Sequence, residues 1–167
     1  MTREEFHSVV QANQAMVFSL AYHLLHDRAA AEELAQDVFL SLYRSLDRIA
    51  SQEHAVFWLR KVTMQRAIDE SRRRKRRPVV ALEEVPEPGM RMPPEDALLG
   101  DLLRRLVQSL PEAPRAVMVL RYQEELEPSE IAQVLGMPLG TVKSHLQRSL
   151  ALLRGKLERK GVTEPRR

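Results

Sequence analysis

Glu127-Pro128-Ser129-Glu130-Ile131-Ala132-Gln133-Val134-Leu135-Gly136-Met137-Pro138-Leu139-Gly140-Thr141-Val142-Lys143-Ser144-His145-Leu146-Gln147-Arg148 reads as two short helices around a glycine turn. Pro128 suits the first turn of a helix, where a missing N–H costs nothing. Ile131, Ala132, Val134 and Leu135 give that helix an apolar face, and small Ala132 permits a close crossing. Gly136 stands where a helix stops and the chain needs a positive φ. Pro138 opens the second helix. Leu139, Val142, Leu146, Leu150, Leu153 and Leu157 recur at spacings of three and four, which predicts one buried stripe. Thr141, Lys143, Ser144, Gln147 and Arg148 avoid that stripe. Hydroxyls, an amide and cations are the groups that hydrogen-bond phosphates and base edges. A helical hairpin with a solvated face is the plainer alternative. The combination of cap, turn and polar face points instead to a helix-turn-helix that docks on DNA.

The chain has 167 residues, room for one medium domain or two small ones. Only 5% are aromatic, which suits helical bundles better than sheets. The fold class expected is all-α, without a strand signal or an internal repeat. Cysteine is absent, which excludes disulfides, cysteine nucleophiles and thiolate metal sites. No apolar run approaches membrane-spanning length, and Met1 to Phe6 lacks the apolar core of a signal peptide. A cytoplasmic protein with no membrane insertion is expected.

The net charge of +3 conceals an uneven distribution. Residues 1–77 hold 13 Lys/Arg against 10 Asp/Glu, and residues 101–167 hold 12 against eight. Between them, residues 78–100 hold five acidic residues and the single cation Arg91. Pro78, Pro86, Pro88, Pro93 and Pro94 fall in the same stretch, so residues 78–95 are expected to form an extended acidic linker. Domains are therefore expected at 1–77 and 96–160, with a tail at 161–167.

In the first domain, Phe6 to Leu25 follows a helical period, and Asp27 is a candidate cap for a second helix reaching Leu46. A polar break at Ala50-Ser51-Gln52-Glu53-His54 precedes a third helix from about Val56 to about Arg77. That helix ends in Arg72-Arg73-Arg74-Lys75-Arg76-Arg77. Six successive cations repel one another unless a polyanion neutralises them, although a helix C-terminus also favours cations. Trp58, the one tryptophan, fits core packing. The alternative is that the loop and helix start capture an unstacked base. In the second domain, helices are expected over Asp96–Leu110 and Pro111–Tyr122 before the hairpin.

Enzyme readings have little support. Glu33 and Asp37 share a helical face, which would permit a carboxylate metal hydrolase, but no histidine stands at ligand spacing from them. His23 and His26 are three apart without a third ligand. No Gly-rich phosphate loop or catalytic motif occurs, and no cofactor is implied.

Three passages resemble the RNA polymerase sigma factors of the extracytoplasmic-function (ECF) group of the sigma-70 family. Ala31 to Leu40 resembles the polymerase-binding helix of region 2. Phe57 to Asp69 with the basic run resembles its promoter-melting helix. Leu110 to Tyr122 with the helix-turn-helix resembles region 4. The resemblance implies that Glu33, Gln36, Asp37 and Leu40 dock on the clamp helices of the largest polymerase subunit, with a further contact to the polymerase flap. It implies that the 50–54 loop receives a flipped minus-10 base, with Ser51, Gln52, His54, Trp58, Lys61, Gln65, Arg66, Arg72 and Arg73 on minus-10 DNA. Leu139, Thr141, Lys143, Ser144, His145, Gln147 and Arg148 would meet the minus-35 element. An anti-sigma protein is an implied partner, the linker would follow the nucleic-acid path of the polymerase, and no catalysis is implied. A stand-alone helix-turn-helix regulator is the alternative, but it leaves the first domain without a purpose. The chain departs from the family pattern at Met64-Gln65, where an Arg-Asn pair is frequent, and at Glu127, where Ser or Thr caps better. At His145 it lacks a frequent arginine, which weakens one groove contact or makes it pH-dependent.

Overall fold

The computed structural model describes residues 1–76 and 102–161. The expected linker at 78–95, the start of the helix expected from Asp96 and all but the first residue of the expected tail lie outside the described residues. All regular structure among the described residues is helical, as composition implied. The helices are α1 (Arg3–Leu25), α2 (Arg28–Arg44), a 3-10 turn (Leu46–Arg48) and α3 (Gln52–Arg76). Then come α4 (residues 102–108), α5 (Glu112–Tyr122), α6 (Pro128–Leu135) and α7 (Leu139–Arg159).

Local chemistry explains the boundaries. The Thr2 hydroxyl accepts from the N–H of Glu5 at 3.2 Å, and the Glu5 carboxylate accepts from the N–H of Thr2 at 2.6 Å. This capping box satisfies two of the donors a helix start leaves orphaned. α1 stops at His26, a left-handed residue with φ 50°. Asp27 is the N-cap of α2, as expected, and accepts from the N–H of Ala30 at 3.1 Å. The third helix starts earlier than expected, at Gln52. Ser51 Oγ accepts from the N–H of His54, and His54 Nδ1 accepts from the N–H of Ala50, both at 3.1 Å. These reciprocal bonds draw residues 52–54 out of the expected loop and into the first helical turn.

α1, α2 and α3 pack together around Val17, Leu20, Leu24, Val38, Leu42 and Leu59, all at most 1% exposed. Tyr43 of α2 is 43% exposed and meets Phe6 edge-on, with ring centroids 5.3 Å apart. α5, α6 and α7 form a second bundle, with a satellite core of Leu106, Leu110, Met118 and Leu153. The main core runs without a break from the first bundle into the second, because α5 packs on α1 and α3 and α6 packs on α3. Two small lobes thus share one apolar interior.

His26 reaches the surface with part of its ring, yet partial burial, then Arg115, then His23 lower its pKa to about 4. The neutral imidazole is the folded form near neutral pH. In the window from 6.5 down to about 4 the unfolded chain binds a proton that the folded chain refuses, so stability falls as pH falls. His26→Asn keeps a residue type that tolerates the left-handed conformation. The variant is expected to lose less melting temperature across this window than the parent, measured by thermal denaturation at stepped pH.

Candidate nucleic-acid interface

The hairpin at 127–148 forms as its turn chemistry requires. Gly136 takes φ 63° and ends α6, and the N–H of Met137 reaches the Ala132 carbonyl at 3.1 Å. The Glu130 carboxylate accepts from the N–H of Glu127 at 2.8 Å, which anchors the helix start despite the unusual capping residue. Ile131 and Val142, both 0% exposed, pin the two helices into the core.

The buried stripe of α7 differs from the expected one. Leu139 and Leu150 are 40% and 42% exposed, and the inward face runs through Val142, Leu146, Ser149 and Leu153 instead. Leucines sit on two adjacent helical rows here, and spacing alone cannot tell which row meets the core. Thr141, Lys143, Gln147 and Arg148 are exposed, Ser144 and His145 half-buried. Together with exposed Leu139 they make one continuous polar-rimmed face at the start of the second hairpin helix.

α3 divides its functional residues between two faces. Ser51, Gln52 and His54 are exposed at its beginning. Trp58 is half-buried and packs against the core. Lys61 lies over the Phe57 ring with Nζ 6.0 Å from the centroid, an arrangement that holds the cation at the surface. Gln65, Arg72 and Arg76 continue the exposed side at near-helical spacing. Met64 is fully buried and offers nothing to a base.

Arg66 and Arg73 belong elsewhere. Both line a groove of about 410 Å³ between α2 and α3, with Glu33, Asp37, Glu70 and Arg74. Arg66 Nη2 donates to Ser41 Oγ at 2.8 Å, and Arg73 forks onto Glu70 at 2.8 and 2.9 Å. The Arg73 fork is the main reason the Glu70 carboxyl stays below its ordinary range.

The six-cation run is partly neutralised from within, contrary to the expectation that only a polyanion would relieve it. Arg74 pairs with Glu70 and with Asp27, at 3.2 and 3.1 Å. Lys75 Nζ lies 2.7 Å from the Glu112 carboxylate. Arg72 and Arg76 have no acidic partner among the described residues, and Arg77 lies outside them.

On α2, Glu33, Gln36 and Asp37 are all exposed, and Leu40 is 53% exposed beside them. An apolar residue held outward next to two carboxylates is a mixed docking face. Sequence reasoning missed a second surface. His23, Leu103, Val107, Tyr122 and Leu150 border an apolar groove of about 570 Å³ between α1, α4, α5 and α7. Helical periodicity makes Tyr122 no more than a helix end and puts Leu150 in the core, whereas Tyr122 is 58% exposed and Leu150 lines the groove. Among the described residues no group of three or more His, Asp or Glu could hold a metal ion, and no helix is long and apolar enough to cross a membrane.

Residues 9–77 match the family described as sigma-70 region 2, and residues 100–153 match sigma-70, region 4. The chain is 34% identical over 154 residues to the RNA polymerase sigma-E factor of Streptomyces avermitilis, covering 92% of this chain and 86% of the relative. It is 28% identical to the ECF RNA polymerase sigma factor SigW of Bacillus subtilis, covering 93% and 90%. Among solved structures, it is similar in fold to RpoE of Bartonella quintana in complex with the anti-sigma factor NepR. That match has a TM-score of 0.71 at 18% identity and covers 93% of this chain and 98% of the other. CnrH in complex with the cytosolic domain of CnrY gives a TM-score of 0.69, also at 18%, covering 94% and 90%.

A methyl group added at Gly136 would meet nothing within 4 Å, so only the positive φ of this turn resists substitution. Gly136→Ala is expected to cost about 1–2 kcal/mol through the left-handed conformation alone. Urea denaturation of the two proteins measures it.

Proposed function

Because the chain belongs to the RNA polymerase sigma factors of the ECF group, we propose that its exposed faces divide the work of promoter recognition between two lobes. One observation carries the assignment. The mixed face of α2 (Glu33, Gln36, Asp37, Leu40) and, at the start of α7, Leu139, Thr141, Lys143, Gln147 and Arg148 all stay open to solvent.

The α2 face docks on the clamp helices of polymerase. Its carboxylates meet basic partner groups, and Leu40 supplies the apolar anchor that such an interface needs. The start of α3, with Ser51, Gln52, His54 and half-buried Trp58, receives a base taken out of the stack at the minus-10 element. Lys61, Gln65 and Arg72 hold adjacent phosphates and strand edges. Arg66 and Arg73 act first as supports of the α2–α3 groove and reach DNA only by giving up their present partners. α7 enters the major groove at the minus-35 element, with Lys143, Gln147 and Arg148 as the main donors. The chain does no chemistry of its own. It works in the cytoplasm, where polymerase and promoter are found.

One structural neighbour, RpoE of Bartonella quintana, stands in complex with an anti-sigma factor, and this supports an anti-sigma protein as a partner here too. The apolar groove around Leu103, Val107, Tyr122 and Leu150 fits the apolar face of a partner helix, from an anti-sigma protein or from the polymerase flap.

Two measurements test the assignments separately. Lys143→Ala with Arg148→Ala is expected to weaken holoenzyme binding to a promoter by roughly ten-fold or more and to leave affinity for core polymerase unchanged. Fluorescence anisotropy of labelled promoter reads the first quantity and core pull-down the second. Loss of core affinity in this variant sinks the role of α7. Asp37→Lys is expected to lower core affinity by about ten-fold, because a like charge then faces the basic partner. Unchanged affinity moves the docking face off α2. A chain that binds an operator alone and ignores core polymerase is a stand-alone regulator.

A further inference from the structure

The box that caps α3 contains an unusual residue. Ser51 Oγ accepts from the N–H of His54, and His54 returns the bond by accepting the N–H of Ala50 at Nδ1, both at 3.1 Å. The returning residue of such a box needs only one acceptor, which Glu or Gln ordinarily supplies. An imidazole does more. Its neutral ring carries one N–H and one bare nitrogen, so the bond accepted at Nδ1 puts the proton on Nε2. Nε2 points away from that bond and has no partner among the described residues, and His54 is exposed. The cap fixes the tautomer, and the tautomer fixes one outward donor.

The turn around this donor is held still. Ile49 before it is 4% exposed and Ala55 after it 0%, and the N–H of Ala55 reaches the Ser51 carbonyl at 3.0 Å. The Ser51 hydroxyl is spent within the turn. Its lone pair takes the His54 N–H, and its proton faces Glu53, whose carboxyl is held below its ordinary range by its own N–H first and by Ser51 second. Gln52 is exposed, but a free amide turns over to offer either a donor or an acceptor and so selects nothing. His54, Trp58 and Lys61 stand at i, i+4 and i+7, on one side of α3. Along that side a directed N–H, a half-buried indole and a surface cation follow one another. An extruded nucleotide has the matching parts: a base edge, a base face and a phosphate.

We propose that His54 is a specificity residue of the minus-10 site: its Nε2–H meets the centre of the Watson–Crick edge of the extruded base and selects an amino base, cytosine or adenine, over a keto base, thymine or guanine. The inference rests on the promoter reading given above and names the ligand class of that site. A base laid on Trp58 with its phosphate toward Lys61 turns the edge farthest from its sugar toward His54. At the centre of that edge cytosine N3 and adenine N1 accept, whereas thymine N3 and guanine N1 carry protons. A fixed donor completes a bond with the first pair and sets N–H against N–H with the second. A donor left unpaired costs more than a made bond gains, so one rigid N–H suffices to discriminate.

Nitrogen NMR of the histidine-labelled full chain, with the His54 signals identified by their loss in His54→Glu, reads the tautomer. The neutral ring is expected to be protonated at Nε2, and a proton at Nδ1 overturns the inference. Holoenzyme assembled from core polymerase and the full chain then selects from promoter DNA randomised through the minus-10 element, and the bound DNA is sequenced. The parent is expected to enrich cytosine and adenine over thymine and guanine at one position by at least about five-fold. His54→Glu keeps an acceptor for the Ala50 N–H but turns a second acceptor outward. It is expected to melt with the parent and to lose the preference at that position alone. The ratio among bases is read rather than total affinity, because the added charge weakens binding to all four alike. His54→Gln ties its carbonyl oxygen to Ala50 and turns its amide N–H outward, and is expected to keep the preference. Loss in both variants or in neither, or no position at which the parent favours amino bases, overturns the role of His54 while the promoter reading stands. A parent holoenzyme that enriches no minus-10 sequence at all overturns the promoter reading and this inference with it.

Discussion

α3 has one circumference, divided among four helices and solvent. One side packs on α1 and α2 through Leu59 and its companions, a second carries α5 and α6 on Met64 and Ala67, and what remains faces solvent through Gln65, Arg72 and Arg76. This crowding governs the rest of the molecule. It brings the two cores into one, and it decides which cations of the helix are free to meet DNA. It also leaves a local cost. Thr63 Oγ1 is buried with no hydrogen-bond partner among the described residues, at a point where a polar atom has no opening to water.

The same constraint separates what was legible in the sequence from what was not. Helix positions and their ends were legible, because caps and turns act locally. Asp27 capping α2 and Gly136 closing α6 need only their immediate neighbours. The start of α3 escaped because His54 serves as the returning partner of a cap, a role usually filled by Glu or Gln. The row of α7 that faces inward escaped because Leu146 can be followed by Leu150 or by Ser149, and only the curvature of the lobe chooses. A small polar residue in a tight crossing gives no hydrophobic signal.

The functional faces were legible in kind and less so in detail. Glu33, Gln36, Asp37 and Leu40 on α2 are exposed, as are Thr141, Lys143, Gln147 and Arg148, which helical spacing sets apart from the apolar rows of α7. Along the chain the six cations of the basic run look equivalent, and in the fold they are not. Arg73, Arg74 and Lys75 each have a carboxylate, and two of the acids involved lie far away in sequence. Composition counts charges, whereas tertiary structure pairs them. The partners Asp27 and Glu112 have separate local roles, one as a helix cap and one in a first turn, so nothing in the sequence advertises their second use.

The bond that buried Arg115 donates to the Leu24 carbonyl, at 3.0 Å, also bears on how the chain comes into being. On a ribosome adding about 5–20 residues per second, the interval between completing α3 and adding Arg115 is roughly 2–8 s. Throughout that interval the end of α1 must be content with water at Leu24, and Met64 and Ala67 have nothing yet to cover them. The first lobe is thus born with an adhesive flank. Whatever meets the nascent chain in those seconds, whether polymerase, a chaperone or a second nascent copy, meets a surface that the finished protein hides.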